Sequence, residues 1–175
     1  MMYWILCFVL IVVTWGFLDI TYHTIRNGVG PVPSSIKAVK LACEQIQEHH
    51  SIIYDVGGGF AISTKYFAKR FPEKTIVMLE VSYFSYAIAK FHCRNISNIT
   101  IVHSNFLSHS FPTDSFLYVY LYPSLMKKLF HHLVDWEGMV VSYVFSFRNI
   151  QEKKRFFISH QSREQLFVYE FKKSM

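Results

Sequence analysis

The sequence predicts an α/β domain built on a doubly wound, mainly parallel sheet and preceded by a hydrophobic helix. Three observations carry this expectation. From about residue 34 onward, short apolar segments alternate with amphipathic ones, the order that βαβ units produce. One apolar segment, Ile52-Ile53-Tyr54-Asp55-Val56, runs straight into Gly57-Gly58-Gly59 and then into a helix-like stretch. Residues 1–18 carry no charge at all and are mostly large and apolar.

The elements follow in order. Residues 1–18 suit a transmembrane anchor at the short end of the usual length, with Trp4 and Trp15 near its ends where interfacial residues sit. A cleaved signal peptide is the main rival, but it wants a basic start and a small-residue cleavage site, and neither is present. A buried core helix is the other alternative. Residues 19–33, with Gly28, Gly30, Pro31 and Pro33, read as a linker, and residues 34–175 as the folded domain. Ser34 or Ser35 caps a helix whose stripe is Ile36, Val39, Cys43 and Ile46. The first strand spans 51–56 and its helix 62–71, ended by Pro72. The second strand spans 75–80. A helix over 83–94 places Phe84, Ile88 and Phe91 on one face, and a third strand covers 99–103. A fourth strand spans 116–122, and Pro123 opens a helix faced by Leu125, Leu129 and Leu133. Gly138 precedes a fifth strand over 139–145. Segments near 156–158 and 166–171 form a short closing hairpin, short enough that one of seven strands is expected to be reduced or missing.

The glycine turn carries the chemistry. Glycines belong where a backbone bends sharply and a ligand comes close, and a helix beginning just beyond presents free N–H groups to an anionic group. A dinucleotide fingerprint G-x-G-x-x-G would need glycine at position 62, where Ile62 stands. Asp55, Gly57, Gly59 and Ala61 instead spell D-x-G-x-G-x-A. Glu80 ends the second strand, where a carboxylate can accept from a ribose diol. Asp55, Glu80, Asn105 and Tyr122 all fall at predicted strand ends, the side on which such sheets bind ligands.

Composition narrows the partners. The net charge of +6 comes from dispersed Lys and Arg, all after the hydrophobic run, so the positive-inside tendency predicts that the domain faces the cytoplasm or the equivalent compartment of an organelle. Attraction to acidic headgroups accounts for the charge more simply than nucleic acid, for which no binding signature is visible. Cys7, Cys43 and Cys93 are scattered, and the nine histidines lack ligand spacing, so neither disulfides nor a metal is expected. The sequons at Asn95 and Asn98 sit where a strand should enter the sheet and are read as chance matches.

The D-x-G-x-G-x-A motif resembles motif I of class I S-adenosylmethionine-dependent methyltransferases. More narrowly, residues 34–171 resemble the small membrane-anchored protein-lysine methyltransferases and their bacterial relatives. The likeness lies in the hydrophobic N-terminal segment, in Val32-Pro33-Ser34-Ser35, in Tyr118-Val119-Tyr120-Leu121-Tyr122-Pro123-Ser124 and in Gly138-Met139-Val140-Val141-Ser142-Tyr143. The resemblance implies S-adenosyl-L-methionine as cofactor. Gly57, Gly58 and Gly59 would cradle its methionine part, Asp55 would orient its amino end, directly or through a water, and Glu80 would hold the ribose. Asn105 would accept from the adenine amino group, although this superfamily often has an aspartate there. Tyr118, Tyr120 and Tyr122 would form the acceptor wall, with Tyr122 the one catalytic candidate. The acceptor implied is a protein lysine on a membrane-embedded or membrane-adjacent partner. A lipid, small-molecule or RNA acceptor is the first alternative, and a non-catalytic, membrane-tethered assembly protein the second.

Overall fold

The computed structural model describes residues 2–27, 33–148, 150–159 and 164–172. Among the described residues, five α-helices and seven strands follow one another as α1 (Met2–Asn27), α2 (Ile36–Cys43), β1 (Ile52–Val56), α3 (Ile62–Arg70), β2 (Thr75–Glu80), α4 (Tyr83–Cys93), β3 (Ile99–His103), β4 (Ser115–Val119), α5 (Pro123–His132), β5 (Gly138–Tyr143), β6 (Lys154–Ser159) and β7 (Glu164–Phe171). The strands make one sheet in the order β3-β2-β1-β4-β5-β7-β6. The first five run parallel to one another, and β7 runs antiparallel to both β5 and β6. The order reverses between β1 and β4, which opens a crevice at their carboxyl ends.

The sheet is covered on both faces, as parallel sheets require. Ile53, Ile76, Phe116, Tyr118 and Val141 pack with Ala38, Val39 and Phe67 of α2 and α3. The opposite face buries Tyr54, Val56, Leu117, Val119 and Val140 with Met126 and Leu129 of α5. Each large side chain so buried contributes about 1.5–3 kcal/mol relative to exposure. The sequon residue Asn98 donates from Nδ2 to the carbonyls of Ala68, Phe71 and Lys74, and so is tied into the fold.

Several expectations need correction. The sheet has all seven strands, because the terminal hairpin is complete. The fourth strand ends at Val119, three residues before Tyr122. In α4 the residues against the sheet are Ser85, Ala89 and Cys93, while Phe91 is 63% exposed. Small side chains let that helix lie close to β2 and β3, and this outweighs the pull of Phe84, Ile88 and Phe91 toward the core. The first helix does not stop at residue 18. It continues through nine residues assigned to a linker, to Asn27; residues 28–32 of that linker lie outside the described residues.

The cause of the continuation is visible. Trp15 meets Tyr83 and Phe84 edge-on, at centroid distances of 6.1 and 5.8 Å. Gly16 lies so close to Phe84 that a Cβ would come within 2.5 Å of the ring. One turn later Asp19 accepts from the Ser82 hydroxyl at 2.6 Å and the Phe84 N–H at 3.2 Å. Residues 2–15 of α1 are exposed throughout. By length and composition α1 is the one helix among the described residues able to cross a membrane.

Candidate active site

A cavity of about 590 Å³ lies at the carboxyl ends of the parallel strands, within the ~300–1,000 Å³ typical of small-ligand sites. The glycine turn forms its floor. Gly57 has φ +79° and Gly59 φ +57°, left-handed values that glycine adopts freely. Gly57 also lies against the Leu121 side chain, 3.3 Å from where a Cβ would stand. Both glycines line the cavity. Gly58 does not: it faces inward, and a Cβ there would meet Met78 at 2.7 Å and Asp55 Oδ2 at 2.9 Å. Gly58 is needed for packing beneath the turn, not for approach of a ligand.

Glu80 is buried at the cavity wall. Oε2 accepts the Gly59 N–H at 2.9 Å, and Oε1 accepts the N–H groups of Val81 at 2.9 Å and Ser82 at 2.8 Å. The carboxylate therefore braces the glycine turn against the start of α4. Three of its roughly four acceptor positions are occupied, leaving about one, on Oε2, for a ligand hydroxyl.

Asp55 stands elsewhere. Its side chain is absent from the cavity lining and buried under the turn, where Oδ2 accepts the hydroxyls of Ser63 and Thr64, each at 2.6 Å. Burial pushes its carboxyl above the ordinary carboxylate range, and the two hydroxyls pull it partly back. These bonds anchor the first turn of α3, whose cap residue Ala61 is itself left-handed at φ +61°. The structure thus places Asp55 as the support of the turn, one layer below the cavity.

Asn105 lines the cavity, but its Oδ1 accepts the Leu107 N–H at 3.0 Å and caps the short 3-10 helix Phe106–Ser108. Tyr120 and Tyr122 also line it, half exposed, and both pack on Phe145, at 6.2 Å stacked and 5.3 Å edge-on. Tyr118 does not join them. It lies buried on the α2–α3 side of the sheet, so the expected three-tyrosine wall reduces to two. Alternation holds along β4, but the chain leaves the sheet after Val119 and carries the later tyrosines to the rim.

Some of the lining lay outside the sequence reading. Ile20, His23 and Thr24 of α1 form one side, Ser82, Ser85 and His103 the wall beyond Glu80, and Leu125 and Lys128 of α5 the far rim. The lone acid Asp19, directly after an uncharged run, was the available signal for the α1 contribution. No cluster of His, Cys, Asp and Glu suited to a metal occurs among the described residues.

These residues fit an adenosyl ligand. The open glycine turn admits a backbone-hugging chain, Glu80 retains an acceptor for a hydroxyl, and Val56, Leu79, Phe106 and Leu107 supply an apolar wall for a flat base. No protein-family model matches the chain, and no curated relative does. Solved structures share its fold at low identity. An RNA methyltransferase from Salinibacter ruber, in complex with S-adenosyl-L-homocysteine, aligns with a TM-score of 0.69 at 16% identity, over 82% of this chain and 96% of its own. The N-methyltransferase NodS from Bradyrhizobium japonicum WM9 gives 0.59 at 12%, over 77% and 92%. TrmK from M. capricolum, in complex with S-adenosyl-homocysteine, gives 0.59 at 13%, over 80% and 69%. The chain has the class I methyltransferase fold.

Proposed function

We propose that the protein is an S-adenosylmethionine-dependent methyltransferase held to a membrane by α1, with a protein lysine as its acceptor. The observation that carries the reading is the cavity itself: a left-handed glycine turn and a strand-end glutamate meet at the switch point of a methyltransferase fold. Residues 2–18 rise about 26 Å as a helix, close to the ~30 Å of a hydrocarbon core. That length brings Asp19 and the cavity beside it to the membrane surface, which is the basis for expecting a membrane-embedded or membrane-adjacent acceptor.

The bound cofactor would supply a methyl carbon on a sulfonium. An amine placed at the rim of the cavity would take up that methyl group once it has given its proton to solvent. The protein's part is positioning. Gly57 and Gly59 would admit the methionine part, Glu80 would hold a ribose hydroxyl, and the carbonyl oxygen of Asn105, with its second lone pair, would accept from the adenine amino group. Asp55 acts through the turn it supports. Tyr120 and Tyr122 present faces and hydroxyls to the incoming amine, with Tyr122, at the start of α5, nearest to solvent.

RNA is the second reading, favoured by the RNA methyltransferase among the similar folds and by Lys128 at the cavity rim. Incubating membranes and total RNA with methyl-labelled cofactor, with and without the protein, separates the two. Label on a lysine of a membrane protein, located by peptide mapping, supports the first; label in RNA or lipid overturns it.

A further inference from the structure

The helix expected to be only an anchor is also a wall of the cavity. Gly16, Asp19, Ile20, His23 and Thr24 recur at three- and four-residue spacing, so they share one face of α1. The upper part of that face touches α4 and the lower part lines the cavity. Asp19 stands between them and accepts the Phe84 N–H in the first turn of α4, where an anion is favoured. The link to the ligand wall passes through a single residue. Ser82 donates its hydroxyl to Asp19 at 2.6 Å and its backbone N–H to Glu80 Oε1 at 2.8 Å. Its hydroxyl oxygen also caps α4 by accepting the Ser85 N–H at 3.1 Å. A carboxylate from the membrane helix and the carboxylate of the ligand wall are thus joined through one serine.

Resting on the cofactor reading above, we propose that Asp19 is a positioning residue of the cavity: it pins α1 to α4, closes the cavity with Ile20, His23 and Thr24, and steadies Glu80 through Ser82. The anchor is then part of the binding site, and a chain lacking it has an open cavity. An alanine at position 19 removes the oxygen that accepts both bonds and frees α1 to swing. An asparagine keeps an oxygen able to accept both bonds and preserves the pin.

The test uses the full chain in lipid nanodiscs in a Cys7→Ser background, with spin labels at positions 25 and 91, whose native side chains are exposed. Electron–electron resonance measures the distance between α1 and α4, and calorimetry measures S-adenosylhomocysteine affinity in the unlabelled variants. The unsubstituted chain and Asp19→Asn should give one narrow distance distribution and affinities within about threefold, whereas Asp19→Ala should broaden the distribution and weaken binding about tenfold or more. A narrow distribution in Asp19→Ala overturns the pin. A broad one with unchanged affinity overturns the positioning role. A chain whose distances behave as expected but which never binds S-adenosylhomocysteine overturns the cofactor reading, and the positioning role with it, while the dock of α1 on α4 stands.

Discussion

Replacing Glu80 by glutamine changes one atom and separates two duties of this side chain. The carboxylate accepts three backbone N–H groups, two on Oε1 and one on Oε2. Glutamine keeps the Val81 and Ser82 bonds if its carbonyl oxygen takes the Oε1 place. Its NH₂ group then faces the Gly59 N–H, donor against donor. One buried N–H loses its partner, which costs about 1–3 kcal/mol, or a fall in melting temperature of roughly 2–12 °C for a domain of this size. The second duty concerns the ligand. An NH₂ group cannot accept a ribose hydroxyl, and loss of a hydrogen bond to a charged group costs about 1.5–3 kcal/mol, roughly ten- to a hundredfold in affinity. Thermal unfolding measures the first effect, and titration with S-adenosylhomocysteine the second. The exposed Glu73→Gln serves as control and should change neither. A Glu80→Gln chain that melts lower but binds within twofold of the unsubstituted protein would refute the ribose role and leave Glu80 as a brace of the turn.

Three further outcomes follow from the geometry. Asp55→Asn keeps an oxygen for the Ser63 and Thr64 hydroxyls, so stability at neutral pH should stay within about 1 kcal/mol and cofactor affinity within about threefold; a loss beyond tenfold by calorimetry would instead put Asp55 in contact with the ligand. Burial lowers the His50 imidazole to about 4, with His49 and Lys74 nearby adding to the effect. Its folded value lies below its unfolded value, so the unfolded chain takes up the proton first, and stability is lost as pH falls from about 6.5 toward 4, by roughly 2–3 kcal/mol. Urea unfolding across that window should show the slope in the native protein and a smaller one in His50→Gln, and equal slopes would contradict the assignment. Tyr122→Phe should leave stability within about 0.5 kcal/mol, because the side chain is half exposed, but lower kcat roughly tenfold or more with little change in KM for the cofactor; unchanged turnover on labelled membranes would remove Tyr122 from the acceptor site.

Much of this arrangement is written locally in the chain. The strands β2 and β3 match their expected limits because each is a short β-branched, apolar run closed by a polar residue. The left-handed glycines and the wall position of Glu80 follow from the strand–turn–helix order. What stayed hidden depends on contacts between distant segments. Asp19 and His23 look like linker residues until α4 is placed beside them. Ser85, Ala89 and Cys93 form the inner face of α4 because close approach to the sheet favours small side chains, which a count of large apolar residues misses. The inward turn of Asp55 is set by the hydroxyls of Ser63 and Thr64, eight and nine residues further on. The same motif letters are compatible with a carboxylate that touches the ligand or one that holds the turn, and only three-dimensional placement separates them.

Everything proposed here requires that the cavity take up the adenosyl and homocysteine parts shared by S-adenosylmethionine and its product. Calorimetric titration of S-adenosylhomocysteine into the full chain in nanodiscs measures it most directly. Saturable one-to-one binding is expected, abolished in Gly57→Val, where a side chain would be forced into a left-handed backbone against Leu121. No heat of binding, or the same affinity in that variant, would contradict it.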